Sequence, residues 1–268
     1  MKQVVLVTGC SSGFGEAIAT GFQKAGYTTV ASMRNVDAAT SALRTCGAEI
    51  VALDVTRDES RKAVVDDVIR RHGRLDVLVN NAGVSGRGPV EDIPLEMLRS
   101  VMETNFFGPF ALTQLVLPHM RRQKSGRIVN VTAIGALLCT PFLSAYCASK
   151  HALDAVGAAL DVEARALGIR TTSVLPGQFK TAIGAKGKTA EYGAAYRPVA
   201  DILAEQFKQR AAEAPSDLSA VVNAVMEAAT AADPKPRYVV GGGSALLLPP
   251  VVEALESIHR IEHQRTLG

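Results

Sequence analysis

Short apolar runs alternate along the chain with longer stretches of helical spacing. Val4-Val5-Leu6-Val7 is continuously apolar and stops at Thr8-Gly9, the pattern of a strand buried on both faces. Phe14, Ala17, Ile18, Gly21, Phe22 and Ala25 then recur at helical spacing until Gly26, where a glycine ends the pattern. The same reading predicts strands over 28–33, 49–53, 75–79, 127–131, 169–175 and 238–240. Helices are expected over 36–46, 58–71, 105–122 and 144–167. Strand–helix alternation of this length means βαβ units and a parallel sheet with helices on both faces. Residues of about 182–215 break the rhythm with Gly184, Gly187, Gly193, Tyr192 and Tyr196, and show no strand pattern. They read as an insertion over the open end of the sheet, placed to act as a lid. No linker or repeat divides the chain, so residues 1–268 are expected to form a single domain.

Composition narrows the class. Hydrophobic residues make up 47% and charged residues 21%, which excludes a disordered chain. The net charge of +3 is spread along the sequence, so no nucleic-acid partner is expected. The opening run, Met1 to Val7, is too short for a signal peptide. The apolar stretch from Ala245 to Leu255 is cut by Pro249-Pro250, and nothing reaches the roughly 18 residues of a membrane span. Cys10, Cys46, Cys139 and Cys147 lack metal-ligand spacing, so no metal is expected and a reduced cytoplasmic protein fits best.

Candidate chemistry begins at the first turn. Gly9, Gly13 and Gly15 lie between the first strand and the first helix. Glycines there permit a tight turn and let backbone N–H groups approach a pyrophosphate, aided by about half a positive charge at the helix N-terminus. The spacing Thr8-Gly9-x-x-x-Gly13-x-Gly15 differs from the GxGxxG fingerprint. Near the end of the second strand a carboxylate would bond a ribose 2′-hydroxyl, and an arginine would accommodate a 2′-phosphate. Ser32-Met33-Arg34-Asn35 offers no acid before Asp37. Arg34 has the bidentate geometry for a phosphate, and Ser11 or Ser12 could donate a second bond. NADP(H) is therefore expected in preference to NAD(H).

With these motifs in place, the sequence resembles the short-chain dehydrogenase/reductase family over residues 3–242. Thr8 to Gly15, including Phe14, is similar to its cofactor loop. Asp54-Val55 stands where the family places an Asp near the adenine. Asn80-Asn81-Ala82-Gly83 resembles its fourth-strand motif, and Asn105 lies in the helix that carries its catalytic Asn. Tyr146-Cys147-Ala148-Ser149-Lys150 has the YxxxK form, and Pro176-Gly177-Gln178-Phe179-Lys180-Thr181 resembles the segment that holds the nicotinamide carboxamide. The resemblance implies an α/β fold, a single-domain Rossmann-type doubly wound parallel sheet of about seven strands. It also implies cofactor contacts from Asp54, Val55, Asn81, Ala82, Gly83, Tyr146, Lys150, Pro176, Gly177, Phe179 and Thr181. The loop and Arg34 resemble the hydroxysteroid and retinol dehydrogenase branch.

Tyr146 and Lys150 are i and i+4 and share a helix face. A free phenol, with a pKa of about 10, is a slow acid or base at neutral pH. A fixed ammonium beside it would lower that value. In a reduction the cofactor would give a hydride to the carbonyl carbon while Tyr146 gives its proton to the oxygen. By resemblance, Lys150 also bonds the nicotinamide ribose, and Asn105 holds a water connecting Lys150 to solvent. One position departs from the family. Its serine, thirteen residues before the tyrosine, is here Ala133. Thr132 should point to the opposite face, and Ser144 is two residues from Tyr146, off its face. Loss of one oxyanion donor costs about 10²–10³ in rate. Two readings stay open, an engineered Ser→Ala change or a natural member with a weakened or altered role.

Residues expected near the substrate are apolar: Val84, Leu137, Leu138, Cys139, Phe142 and Leu143, with Phe179, Tyr192 and Tyr196 from the lid side. No Arg or Lys is obviously placed to clamp a carboxylate or phosphate, Arg87 and Lys180 being the candidates. A small apolar ketone, aldehyde or alcohol is the expected substrate. Phe106, Phe110 and Leu117, and Leu153, Val156 and Leu160, form second apolar stripes on two helices, which in this family make a homodimer or homotetramer interface. The competing reading is a catalytically silent NADPH-binding sensor, supported by Ala133 and opposed by the retained Asn105, Tyr146 and Lys150.

Overall fold

Seven parallel strands form one sheet in the computed structural model, which describes residues 2–181, 183 and 187–241. They are β1 (Val4–Thr8), β2 (Thr28–Met33), β3 (Glu49–Ala52), β4 (Val77–Asn80), β5 (Gly126–Val131), β6 (Ile169–Pro176) and β7 (Arg237–Val240). Their spatial order is β3-β2-β1-β4-β5-β6-β7. The α/β doubly wound architecture read from the alternation is the one observed. The order reverses between β1 and β4, which opens a crevice at the carboxyl ends of those two strands.

The continuous apolar runs are explained by two cores. Val5 and Val7 pack with Ile18 and Phe22 of α1 (Gly13–Lys24) and Val221 and Val225 of α8 (Ser219–Thr230). Val4 and Leu6 face the other way, against Val64 and Val68 of α3 (Asp58–His72) and Leu112 and Val116 of α5 (Gly108–Gln123). Burying each such side chain contributes roughly 1.5–3 kcal/mol. The helix α6 (Ser144–Arg165) covers β5 and β6 from the α5 side.

Four expectations need correction. The stretch 36–46 is not one helix. It is a 3₁₀ turn (Val36–Ala38) and a short α2 (Ser41–Thr45), because the side chains of Asn35 and Thr40 each cap a separate start. The helix expected from Asn105 begins ten residues earlier, as α4 (Leu95–Met102) after Pro94. A π turn over Glu103–Phe107 then joins α4 to α5. The lid region contains a two-residue strand, Lys188–Thr189, paired with Gly86–Arg87, and a 17-residue helix α7 (Arg197–Glu213). The helix α8 was not expected at all. Gly184 and residues 242–268 lie outside the described residues. No helix among the described residues is long and apolar enough to cross a membrane.

Candidate active site

The glycine loop packs directly against the segment that follows β4. A Cβ on Gly9, whose φ is +74°, would lie 2.8 Å from the Cα of Ala82. One on Gly15 would collide with the carbonyl of Gly9 and the Asn81 amide. Neither position has room for a side chain. Thr8 fastens the same junction: its Oγ1 donates to the Val79 carbonyl at 3.3 Å and accepts from the backbone N–H groups of Asn81 and Ala82 at 3.0 Å. Asn81 Nδ2 in turn donates to the Thr8 carbonyl at 2.8 Å. Sequence reasoning placed Thr8 at the head of the loop motif but gave it no role, since a threonine closing a strand carries no periodic signal.

Gly13, with φ +62°, opens α1 and faces Thr181, whose Cβ would be 3.5 Å from a Cβ there. Phe14 meets Phe179 edge to face at 5.5 Å. Of the two placements the sequence reading gave Phe179, with the cofactor segment and with the lid aromatics, this contact fits the first. Gly177 extends β6 by donating its N–H to the Val240 carbonyl at 2.7 Å. The segment 176–181 thus closes over the loop from the far side. The Ser12 side chain does not cap α1.

Arg34 is exposed just past β2. Burial raises the Asp54 carboxyl, but hydrogen bonds from Thr56 and the charges of Arg34 and Arg57 outweigh it and hold its pKa below the ordinary range. Arg34 and Asp54 thus share one rim of the crevice. Val55 is buried, and its carbonyl accepts from Arg61.

Tyr146 and Lys150 occupy the first two turns of α6. Lys150 is buried, its Nζ donating to the Val131 carbonyl at 2.9 Å and standing 5.8 Å from the centre of the Tyr146 ring. Burial lowers the Lys150 pKa to about 8. Burial also raises the Tyr146 phenol, with a smaller push from Cys147. The Lys150 amine, bonded to the Val131 carbonyl, stands over the ring and not at the phenol oxygen.

Asn105 lies inside the π turn and is fully buried. Its Oδ1 accepts from the Val84 N–H at 2.8 Å, and its Nδ2 donates to the Val84 carbonyl and to Ser149 Oγ, both at 2.9 Å. Gly83 stands between the groups: a Cβ there would be 3.3 Å from Asn105 Oδ1 and 3.6 Å from Lys150 Nζ. Ala133 is buried at the end of β5. Thr132 Oγ1 donates to the Val174 carbonyl at 3.2 Å and so does not replace a hydroxyl at 133.

Of the expected substrate-side residues, the structure gathers Phe142, Tyr192 and Tyr196. The Phe142 ring is edge-on to Tyr192 at 5.7 Å and to Tyr196 at 6.5 Å. Arg87 stacks over Phe207 of α7 at 5.3 Å, and Cys139 is exposed. The second apolar stripes divide. Leu153 is buried in the chain's own core, and Leu117 and Leu160 pack against it. Phe107 and Phe110 remain exposed. No cluster of metal-ligand side chains occurs among the described residues.

Residues 3–191 match the family model described as short chain dehydrogenase. The chain is 37% identical over 203 residues to "Dehydrogenase/reductase SDR family member 7B" of Mus musculus, a match covering 71% of this chain and 63% of that protein. The crystal structure of a short-chain dehydrogenase from Streptomyces avermitilis superposes with a TM-score of 0.82 at 33% identity, over 100% of this chain and 98% of that one. A gluconate 5-dehydrogenase from Burkholderia cenocepacia J2315, in complex with NADP and tartrate, gives a TM-score of 0.65 at 28% identity, over 69% and 74% of the two chains.

Proposed function

Because this chain belongs to the short-chain dehydrogenase/reductase family of oxidoreductases, we propose that it interconverts an apolar ketone or aldehyde and its alcohol with NADP(H), with Tyr146 as general acid and base. The observation that carries the reading is the adjacency at 82–83. Ala82 abuts the glycine loop, and the next residue, Gly83, abuts Asn105 and Lys150. A dinucleotide laid over the loop at the N-terminus of α1 would end beside the phenol–amine pair.

The residues present fit that cofactor. Gly9 and Gly15 let the loop pack tightly on Ala82 and Asn81, and backbone N–H groups at a helix start suit a pyrophosphate. Ser11, Ser12 and Gly13 belong to the same loop. Phe14, Phe179 and Thr181 wall it from the far side. Exposed Arg34 is the partner for a 2′-phosphate, and a family neighbour was crystallised with NADP. When bound, the nicotinamide supplies or takes the hydride at the carbonyl carbon. Tyr146 keeps its proton at rest because burial holds its phenol up, and it yields that proton to the substrate oxygen. Lys150, fixed on Val131, favours the phenolate then formed and bonds the cofactor ribose. Asn105 holds the π turn and segment 83–84 in place around Lys150. Ala133 supplies no hydroxyl to the substrate oxygen, so the site is weakened relative to one with serine. The ring cluster of Phe142, Tyr192 and Tyr196, taken as the substrate side of the site, favours an apolar substrate.

The test is NADPH oxidation with a panel of apolar ketones, followed by loss of NADPH absorbance. Ala133→Ser is expected to raise kcat by about 10²–10³, and Tyr146→Phe to abolish turnover. Arg34→Ala should weaken NADPH binding at least tenfold while leaving NADH nearly unchanged. NADPH binding without turnover, in both the unaltered chain and Ala133→Ser, would favour the silent sensor. No binding of either nucleotide would end the proposal.

A further inference from the structure

Ser149 is buried completely in the second turn of α6, next to Lys150. Its hydroxyl is engaged in both directions. It accepts from Asn105 Nδ2 at 2.9 Å and donates to the Tyr146 carbonyl at 2.7 Å. Asn105 is clamped from its other side by Val84, through both its Oδ1 and its Nδ2. The bonds therefore run without a break from the segment after β4, through the π turn, to the backbone of the tyrosine. A serine bonding back to the carbonyl of the preceding turn ordinarily bends a helix slightly. Here the same hydroxyl also anchors that turn to a neighbouring element.

We propose that Ser149 is a positioning residue, which sets the direction of Tyr146 by tying the first turn of α6 to the π turn through Asn105. This rests on the oxidoreductase reading of the site. Three physical points support it. A buried hydroxyl that both donates and accepts is restricted to one rotamer, unlike a surface serine. The π turn leaves Asn105 on a segment of irregular pitch, which needs an external tie to keep its side chain fixed. A misplacement of about 1 Å between reacting groups can lower a rate by about 10², so a bond at the root of the tyrosine is a sensitive place to act.

Ser149→Ala is expected to lower kcat about tenfold or more, with KM and NADPH affinity within twofold. The pH midpoint of kcat should move, because the Tyr146–Lys150 spacing changes. Ser149→Thr keeps the hydroxyl and should restore most of the rate. A merely structural serine would lower thermal stability on replacement and leave kcat and its pH midpoint unmoved, and that result would overturn the proposal. A second readout does not depend on turnover. Nuclear magnetic resonance of ring-labelled tyrosine, with the Tyr146 signal assigned through Tyr146→Phe, follows the phenol itself. Ser149→Ala should shift that signal and its titration, and an unmoved signal would sink the idea. An unaltered chain that never turns over any ketone counts against the oxidoreductase reading, while the tyrosine signal still decides on Ser149.

Discussion

Lys150 is an amine held in the interior, and its lowered pKa is a statement about stability as well as catalysis. Its value of about 8 in the fold lies below the 10.5 of a free lysine. Between those values the unfolded chain binds the extra proton, so this group makes the protein more stable as pH rises from about 8 towards 10.5. Below pH 8 the buried ammonium opposes folding. Lys150→Met should therefore raise the melting temperature of the cofactor-free protein at neutral pH while abolishing turnover. The difference in Tm between the two proteins, measured across that range, should shrink as pH rises; a constant difference would contradict the assignment. Residues such as Lys150 were legible because the i, i+4 spacing with Tyr146 is a chemical pattern in the sequence itself. The roles of Thr8 and Ser149, both inside recognised motifs, were not, because a single hydroxyl becomes informative only when the fold brings its partners to it. The burial that raises the phenol in the cofactor-free chain likewise has no signature in a five-residue motif.

At the scale of elements, alternating apolar runs located all seven strands, because a strand covered on both faces must be apolar at successive positions. Helices were less legible where local capping or pitch intervenes. Asn35 and Thr40 split 36–46 in two, and the π turn interrupts the periodicity between α4 and α5. The composition ahead of α7 hid a helix inside the lid. Long-range ties left no trace in the sequence either. Arg237 on β7 bonds Asp154 on α6 through two guanidinium nitrogens, with Nε at 3.3 and 3.0 Å from the two carboxylate oxygens and Nη2 at 3.0 Å. Both residues are buried, and Asp154 lies one turn beyond Lys150. Breaking a buried pair leaves an uncompensated charge and costs about 3–5 kcal/mol, whereas replacing both partners by apolar residues is often neutral. Arg237→Met alone should therefore lower unfolding free energy in urea by that amount, and Arg237→Met with Asp154→Leu should recover most of it. Equal losses in the single and double variants would show that the pair is not the cause.

At the scale of the whole molecule, an aromatic face is exposed among the described residues. The sequence pattern put Phe106, Phe110 and Leu117 on an outward stripe, yet Leu117 packs on the chain's own core. An added residue rotates a helix by about 100°, and the π turn brings Phe107 outward in its stead. Phe107 is 50% and Phe110 36% exposed. Phe106 packs against both at a tilt, with ring centres 5.0 and 5.9 Å apart. Three adjoining rings on a helix surface mark an association site more than a solvated one. A two-fold contact between copies of this chain would bury the same patch on each, and we propose this face as the core of a homo-oligomer. Phe107→Glu with Phe110→Glu would set like charges against each other across such an axis. Sedimentation velocity should then give a monomer where the unaltered chain gives a dimer or tetramer. An unaltered chain that sediments as a monomer, or a variant that keeps its assembly, would remove this face from the interface.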